Sequence, residues 1–133
     1  MNKQYDDIFI GKINEDYITD VICSHFNIKK LNKTGSFHQL DFYSDDKIYF
    51  EIKSRRCNHN KYSSTMIGYN KIEWIHKNNI KDVYFVFVFE DGDYFYKYNK
   101  EDKFETGLGG RWDRGKNEIK NYYYIPISKL SKF

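Results

Sequence analysis

Leu40 to Arg56 reads LDFYSDDKIYFEIKSRR, and its second half, Lys47 to Lys53, alternates without a break. Ile48, Phe50 and Ile52 fall on one face of an extended chain, and Tyr49, Glu51 and Lys53 fall on the other. Ser44-Asp45-Asp46 has the composition of a turn, and Phe37 to Tyr43, entered from the turn residues Thr34-Gly35-Ser36, reads as the preceding strand. The stretch therefore predicts an antiparallel hairpin. Asp41 lies late on its first strand, and Glu51 and Lys53, two residues apart on its second, point to one face, so the three polar groups converge.

Carboxylates that face each other repel unless a cation neutralises them, and hard oxygen donors suit magnesium or manganese better than zinc. A lysine beside them can orient or deprotonate a metal-bound water and offset charge developing on a phosphorane-like transition state. That combination implies phosphodiester hydrolysis. An alternating E-x-K by itself also makes an ordinary solvent-facing ion pair, so the surrounding elements have to carry the distinction.

Working outward, Ile10, Ile13, Tyr17, Ile18, Val21, Ile22 and Phe26 recur at helical spacing over residues 7–26. On this amphipathic helix Glu15 shares a stripe with Ile18, Ile22 and Phe26, which puts it at the margin of the buried face. Lys29 to Lys33 reads as a short edge strand. Residues 64–78 read as a second helix, with Glu73 and Lys77 at i,i+4 and Asn78-Asn79 at its end. Val83 to Phe89 is apolar on both faces, as a central strand is, and Asp91-Gly92 turns it into Tyr94 to Tyr98. Asn99 to Asn121 reads as a charged, glycine-containing mobile loop, and Tyr122 to Ile127 as a last strand that ends at Pro126.

A helix with Glu15 at its margin, a strand with Asp41, nine intervening residues and then Glu51-Ile52-Lys53 make an ensemble. In order and spacing the chain resembles the PD-(D/E)xK, or restriction-endonuclease-like, nuclease superfamily over residues 7–89. Leu40 stands where the family name has proline. The resemblance implies an α/β core of helix, three strands, helix and strand, with a mixed central sheet and extra C-terminal strands. It also implies that Asp41, Glu51 and the main-chain carbonyl of Ile52 hold Mg2+ or Mn2+, that Lys53 positions the water, and that Glu15 holds a second metal or its water.

The 133 residues suit one domain, residues 1–133. There is no Ala, and Phe, Tyr, Met, Ile, Asn and Lys make up 71 residues, a bias toward AT-rich codons that points to a viral, phage or AT-rich microbial genome. Lysine abundance therefore says little, and lysine position has to carry any inference. Net charge is −2 over residues 1–50, +5 over 51–81 and zero over 82–133. The basic segment holds Arg55, Arg56, Lys61 and Lys71, which are expected to contact a phosphate backbone. Lys71 falls on the apolar side of the second helix, where a lysine is costly unless it faces a ligand cleft.

Other signals are set aside on chemistry. Gly110 to Lys116 spells G-x-x-x-x-G-K, but Asn117 replaces the Ser or Thr that binds magnesium and no apolar strand leads into it, so no nucleotide cofactor is expected. Arg111, Trp112 and Arg114 there suit an arm that contacts phosphates and stacks on bases. Cys23 with His25 and Cys57 with His59 form two C-x-H pairs, yet i and i+2 on a helix point nearly opposite ways, against a shared zinc. The longest apolar run is far short of a membrane span, the acidic N-terminus does not resemble a secretory signal, and an intracellular protein is expected.

The sequence thus predicts a metal-dependent nuclease acting on nucleic acid, with DNA endonuclease the leading reading. The alternatives are a catalytically inactive nucleic-acid-binding module of the same fold and an aromatic-rich protein-interaction domain using Tyr94, Tyr96 and Tyr98. A homodimer is expected if Tyr94 to Tyr98 and Tyr122 to Tyr124 lie on open strand edges.

Overall fold

The computed structural model describes residues 3–36, 38–110 and 119–133, with side chains placed for 15–36, 38–109 and 120–133. Helix α1 spans Lys3–Phe26 and ends at Asn27, whose φ of 55° is left-handed, while the Ile28 amide closes on the Cys23 carbonyl at 2.9 Å. Helix α2, Tyr69–Lys77, ends the same way: Asn79 has φ 52° and the Ile80 amide reaches the Ile75 carbonyl at 3.1 Å. Asparagine tolerates that conformation better than other side chains that carry a Cβ, and the long hydrogen bond satisfies a carbonyl the helix would otherwise orphan.

Between and after the helices run β1 Leu31–Lys33, β2 Phe42–Ser44, β3 Tyr49–Ser54, β4 Ser64–Gly68, β5 Val83–Phe89, β6 Gly92–Lys97, β7 Thr106–Gly110, β8 Ile119–Pro126 and β9 Ser131–Lys132. The central sheet has the order β1-β2-β3-β5-β6-β9, with β3 and β5 parallel and the other pairs antiparallel. This is the mixed α/β core that the hairpin and its flanking helices predict. Strand alternation divides the interior in two. Phe50 and Ile52, with Val86 and Val88, pack against Ile18 and Ile22 of α1. On the opposite face Phe85, Phe87 and Phe89 pack with Ile72 and Ile75 of α2 and with Ile125 of β8.

Three expectations are corrected. Residues 64–78 are not one helix: 64–68 form β4, and the helix starts at Tyr69. Thr65 and Ile67 are buried while their neighbours are only half so, a period of two that belongs to a strand. The stretch 99–121 is not one loop, because β7 pairs with β8 from Thr106↔Tyr123 to Gly110↔Ile119, and β4-β8-β7 make a second sheet. Arg111, Trp112 and Arg114 lie outside the described residues. The aromatic strands are also not open edges: β6 is flanked by β5 and β9, β8 by β4 and β7, and Tyr96 and Tyr123 are both buried. β9 covers β6 only at Tyr94 and Phe95, and Tyr94, Tyr98, Tyr122 and Tyr124 stay half-buried. Among the described residues no helix is long and apolar enough to cross a membrane.

Phe50 is fully buried, stacked on Tyr84 with ring centroids 5.5 Å apart, whereas Tyr62 is 63% exposed. Phe50→Ala is expected to lower unfolding free energy by about 3–5 kcal/mol and Tyr62→Ala by no more than about 0.5 kcal/mol, as urea titration measures.

Candidate active site

The site grows from the point where β2 stops pairing. The β2–β3 ladder runs only through Tyr43↔Tyr49 and Phe42↔Phe50, so from Glu51 onward that edge of β3 has no strand beside it. The bend that carries Asp41 fills the gap. Its amide donates to the Phe50 carbonyl at 3.1 Å, and its Oδ2 accepts the Ile52 amide at 2.8 Å. Asp41 thus precedes β2 and does not lie late in a strand, yet its carboxylate still converges on β3. The Ile52 carbonyl faces the same edge as its amide, since both groups of one strand residue point one way.

Glu51 and Lys53 share the β3 face that looks toward α2. Glu51 is 1% exposed. Lys71, one turn into α2, brings Nζ to 2.6 Å from Glu51 Oε2 and donates to the Gln39 carbonyl at 2.5 Å. The first contact is an ion pair by distance but lacks hydrogen-bond alignment, so Oε2 remains a buried oxygen with no aligned donor. Burial, followed by the Asp41 carboxylate beside it, pushes the Glu51 carboxyl up to about 8, and Lys53 and Lys71 oppose the rise only in part.

A buried carboxylate whose Oε2 has only the unaligned Lys71 ammonium against it, beside the Asp41 carboxylate, offers hard oxygen donors of the kind Mg2+ or Mn2+ takes. Asp41, Glu51 and the Ile52 carbonyl are the groups that would hold such an ion. Among the described residues no three His, Cys, Asp or Glu side chains gather into a metal-holding group. Glu15 in particular is not collected with the other two acids. It pairs with Lys33 of β1 at 3.3 Å, beside a separate cleft that includes Asp16, Lys30 and Phe42.

The basic residues divide. Arg55 is tied inward: its guanidinium donates to the Met66 carbonyl at 2.6 Å and to Thr65 Oγ1 at 3.4 Å, and lies over the Phe87 ring at 5.9 Å. Arg56 and Lys61 are exposed, with Lys61 Nζ 5.5 Å from the Tyr62 ring centre. Lys71 sits in the carboxylate cluster itself. The unsettled cost of a lysine on an apolar helix face pointed to this residue, and its partner is Glu51. Gln39 escaped the sequence reading, because its main-chain oxygen is what holds Lys71, and a carbonyl leaves no trace in residue type. A cleft of about 970 Å3 lined by His76, Lys97 and Tyr98 contains none of these groups.

A family model described as "Phage putative PDDEXK endonuclease" matches residues 10–133. No curated protein sequence matches the chain.

A carboxyl whose folded value lies above its unfolded one binds its proton more tightly when folded, so it costs stability as pH rises from about 4.5 through about 8. Glu51→Gln should therefore leave thermal stability at pH 5 little changed and raise the melting temperature at pH 8.5 by about 5 °C or more, measured by calorimetry in chelator. A variant with the same pH dependence as the parent would mean that Glu51 ionises freely.

Proposed function

We propose that this chain, which belongs to the phage putative PDDEXK endonuclease family, is a Mg2+- or Mn2+-dependent nuclease that hydrolyses phosphodiester bonds of nucleic acid, most directly DNA. The observation that supports this reading best is Glu51. A carboxyl group buried to 1% exposure, with one oxygen lacking an aligned donor and Asp41 drawn onto the neighbouring peptide, is an expensive arrangement that a bound divalent cation would stabilise. When bound, the ion supplies Lewis-acid polarisation of the phosphoryl oxygens and a more acidic water.

The chain's own groups do the rest. Asp41 and Glu51, with the Ile52 carbonyl, hold the ion, and the hydrogen bond from the Ile52 amide to Asp41 Oδ2 keeps the first carboxylate oriented. Lys53, on the same face of β3 as Glu51, orients the attacking water and opposes negative charge growing on phosphorus-bound oxygens. Water adds to phosphorus and the bond to the departing oxygen breaks. The proton lost by water leaves to solvent, and the departing oxygen gains one. Arg56 and Lys61, in the segment that carries the basic excess, meet the backbone on either side of the cut.

One observation favours the binding-only alternative: Lys71 already lies 2.6 Å from Glu51 Oε2 and supplies an internal countercharge. A single set of incubations decides between them. Linear, circular and branched DNA and RNA are incubated with Mg2+, Mn2+ or chelator, and metal-dependent cleavage is expected. Asp41→Ala, Glu51→Gln and Lys53→Ala should each slow it by roughly 100-fold or more while the circular-dichroism spectrum is kept. Any of the three cutting at the parental rate removes that residue from the site, and binding without cutting under every condition selects the inactive module.

A further inference from the structure

Beyond Lys53 the chain builds a second feature. The segment from Arg55 to Ser63 has no regular secondary structure, yet it is fastened at four points. The Arg55 amide donates to the Val88 carbonyl at 2.8 Å, the Glu90 amide to the Cys57 carbonyl at 3.0 Å, and the His59 amide to Asp91 Oδ1 at 2.8 Å. At its far end the Ile127 amide donates to the Ser63 carbonyl at 2.9 Å. The segment, the second sheet and Phe89 of β5 line a half-open cavity of about 430 Å3 that includes Arg55, His59, Tyr62, Met66 and Tyr124, within the size range of small-ligand sites.

The lining has the chemistry of a π-stacking site with a polar rim. Tyr62 and Tyr124 offer aromatic rings, and Tyr62, at 63% exposed, is among the described residues one of the few large apolar side chains left open to solvent. Asn58 and Ser64 add hydrogen-bonding groups. His59 is locked: Nδ1 lies 2.6 Å from Asp91 Oδ2, which makes Nδ1 the protonated nitrogen, and the ring stacks on Tyr94 at 4.7 Å. The position of the cavity also matters. Arg55, which lines the cavity, follows Lys53 by two residues, just past the end of β3. The cavity opens within the segment that carries the chain's basic excess, beside Arg56 and Lys61.

We propose that this cavity takes one unstacked nucleobase of the substrate strand, next to the phosphate that is cut. A polyanion held by the surrounding cations presents its bases to whatever apolar surface adjoins the backbone, and an aromatic-lined cavity in the segment that follows Lys53 gives one of them a place to stack. The cavity then determines which base, or which unpaired or distorted position, is accepted at that step. This inference rests on the nuclease reading and extends it to substrate selection.

The test crosses a protein change with a substrate change. Fluorescence anisotropy in chelator measures the affinity of the parent, Tyr62→Ala and Tyr62→Phe for oligonucleotides that the chain cuts, each with a single abasic site moved stepwise across the cut. For the parent, one abasic position should weaken binding about 5- to 100-fold. That loss should disappear in Tyr62→Ala and persist in Tyr62→Phe, since stacking needs the ring and not the hydroxyl. An abasic profile that is flat in the parent, or unchanged in Tyr62→Ala, overturns the base site while metal-dependent cleavage leaves the nuclease reading standing. Failure to bind any of the oligonucleotides overturns the base site, and failure to cut any nucleic acid with Mg2+ or Mn2+ overturns the nuclease reading.

Discussion

A carboxyl group in the interior of a sheet is the constraint around which this structure is arranged. Glu51 lies between neighbours that bury almost all of it, and water, which would ordinarily stabilise its charge, is excluded. The fold answers with two devices. Lys71 reaches across from α2 to place an ammonium group beside Oε2, and the carboxyl itself keeps its proton to a much higher pH than a solvated glutamate. Neither is complete, because the lysine is not aligned as a donor and it also serves the Gln39 carbonyl. A core selected for stability alone would place an apolar residue here, as β3 does at Phe50 and β5 does at Phe85. The retained polar group argues for use.

That one acid is tolerable because the rest of β3 and β5 is so strongly apolar. The two interior faces are filled by large rings: Phe50, Tyr84 and Phe26 on the α1 side, and Phe85, Phe87 and Phe89 on the α2 side. The parallel β3–β5 pair at the centre of the sheet is held by both layers. Rigidity there fixes where Glu51 and Lys53 project.

How much of this could be read from the chain depended on whether a residue's environment was written in its neighbours. Alternation in Lys47 to Lys53 made the two faces of β3 plain, and the same rule put Glu51 with Lys53. The family match over residues 10–133 agrees with the superfamily read from the hairpin outward. Residues 64–68 were misread because four apolar positions over ten residues satisfy a loose helical pattern, and the strand's partner, β8, lies about sixty residues away. Gly107-Leu108-Gly109-Gly110 looks like a loop by composition, yet a Cβ on Gly109 would sit 2.9 Å from Tyr124 Oη and 3.2 Å from Tyr122 Cδ2. Those glycines make room for tyrosine rings on the neighbouring strand, a reason that only the pairing discloses. Arg55 was read from charge alone, and that reading could not disclose that its guanidinium also donates to a carbonyl of β4.

The site sits on one half of β3 because of how unequally its two edges are paired. On the β5 side the ladder continues without interruption from Tyr49↔Val83 to Ser54↔Val88, while on the β2 side it ends at Phe42↔Phe50. From Ile52 onward the strand therefore has a free edge, whose peptide groups need partners that no strand supplies. Asp41 satisfies one of them with a side chain, and so brings an acid beside the buried Glu51 carboxyl. The truncated ladder, the misfit glutamate and the bend at Asp41 are consequences of one another. Extending β2 by two residues would pair the Ile52 peptide, remove the reason for Asp41 to turn inward, and leave Glu51 with no partner but lysine.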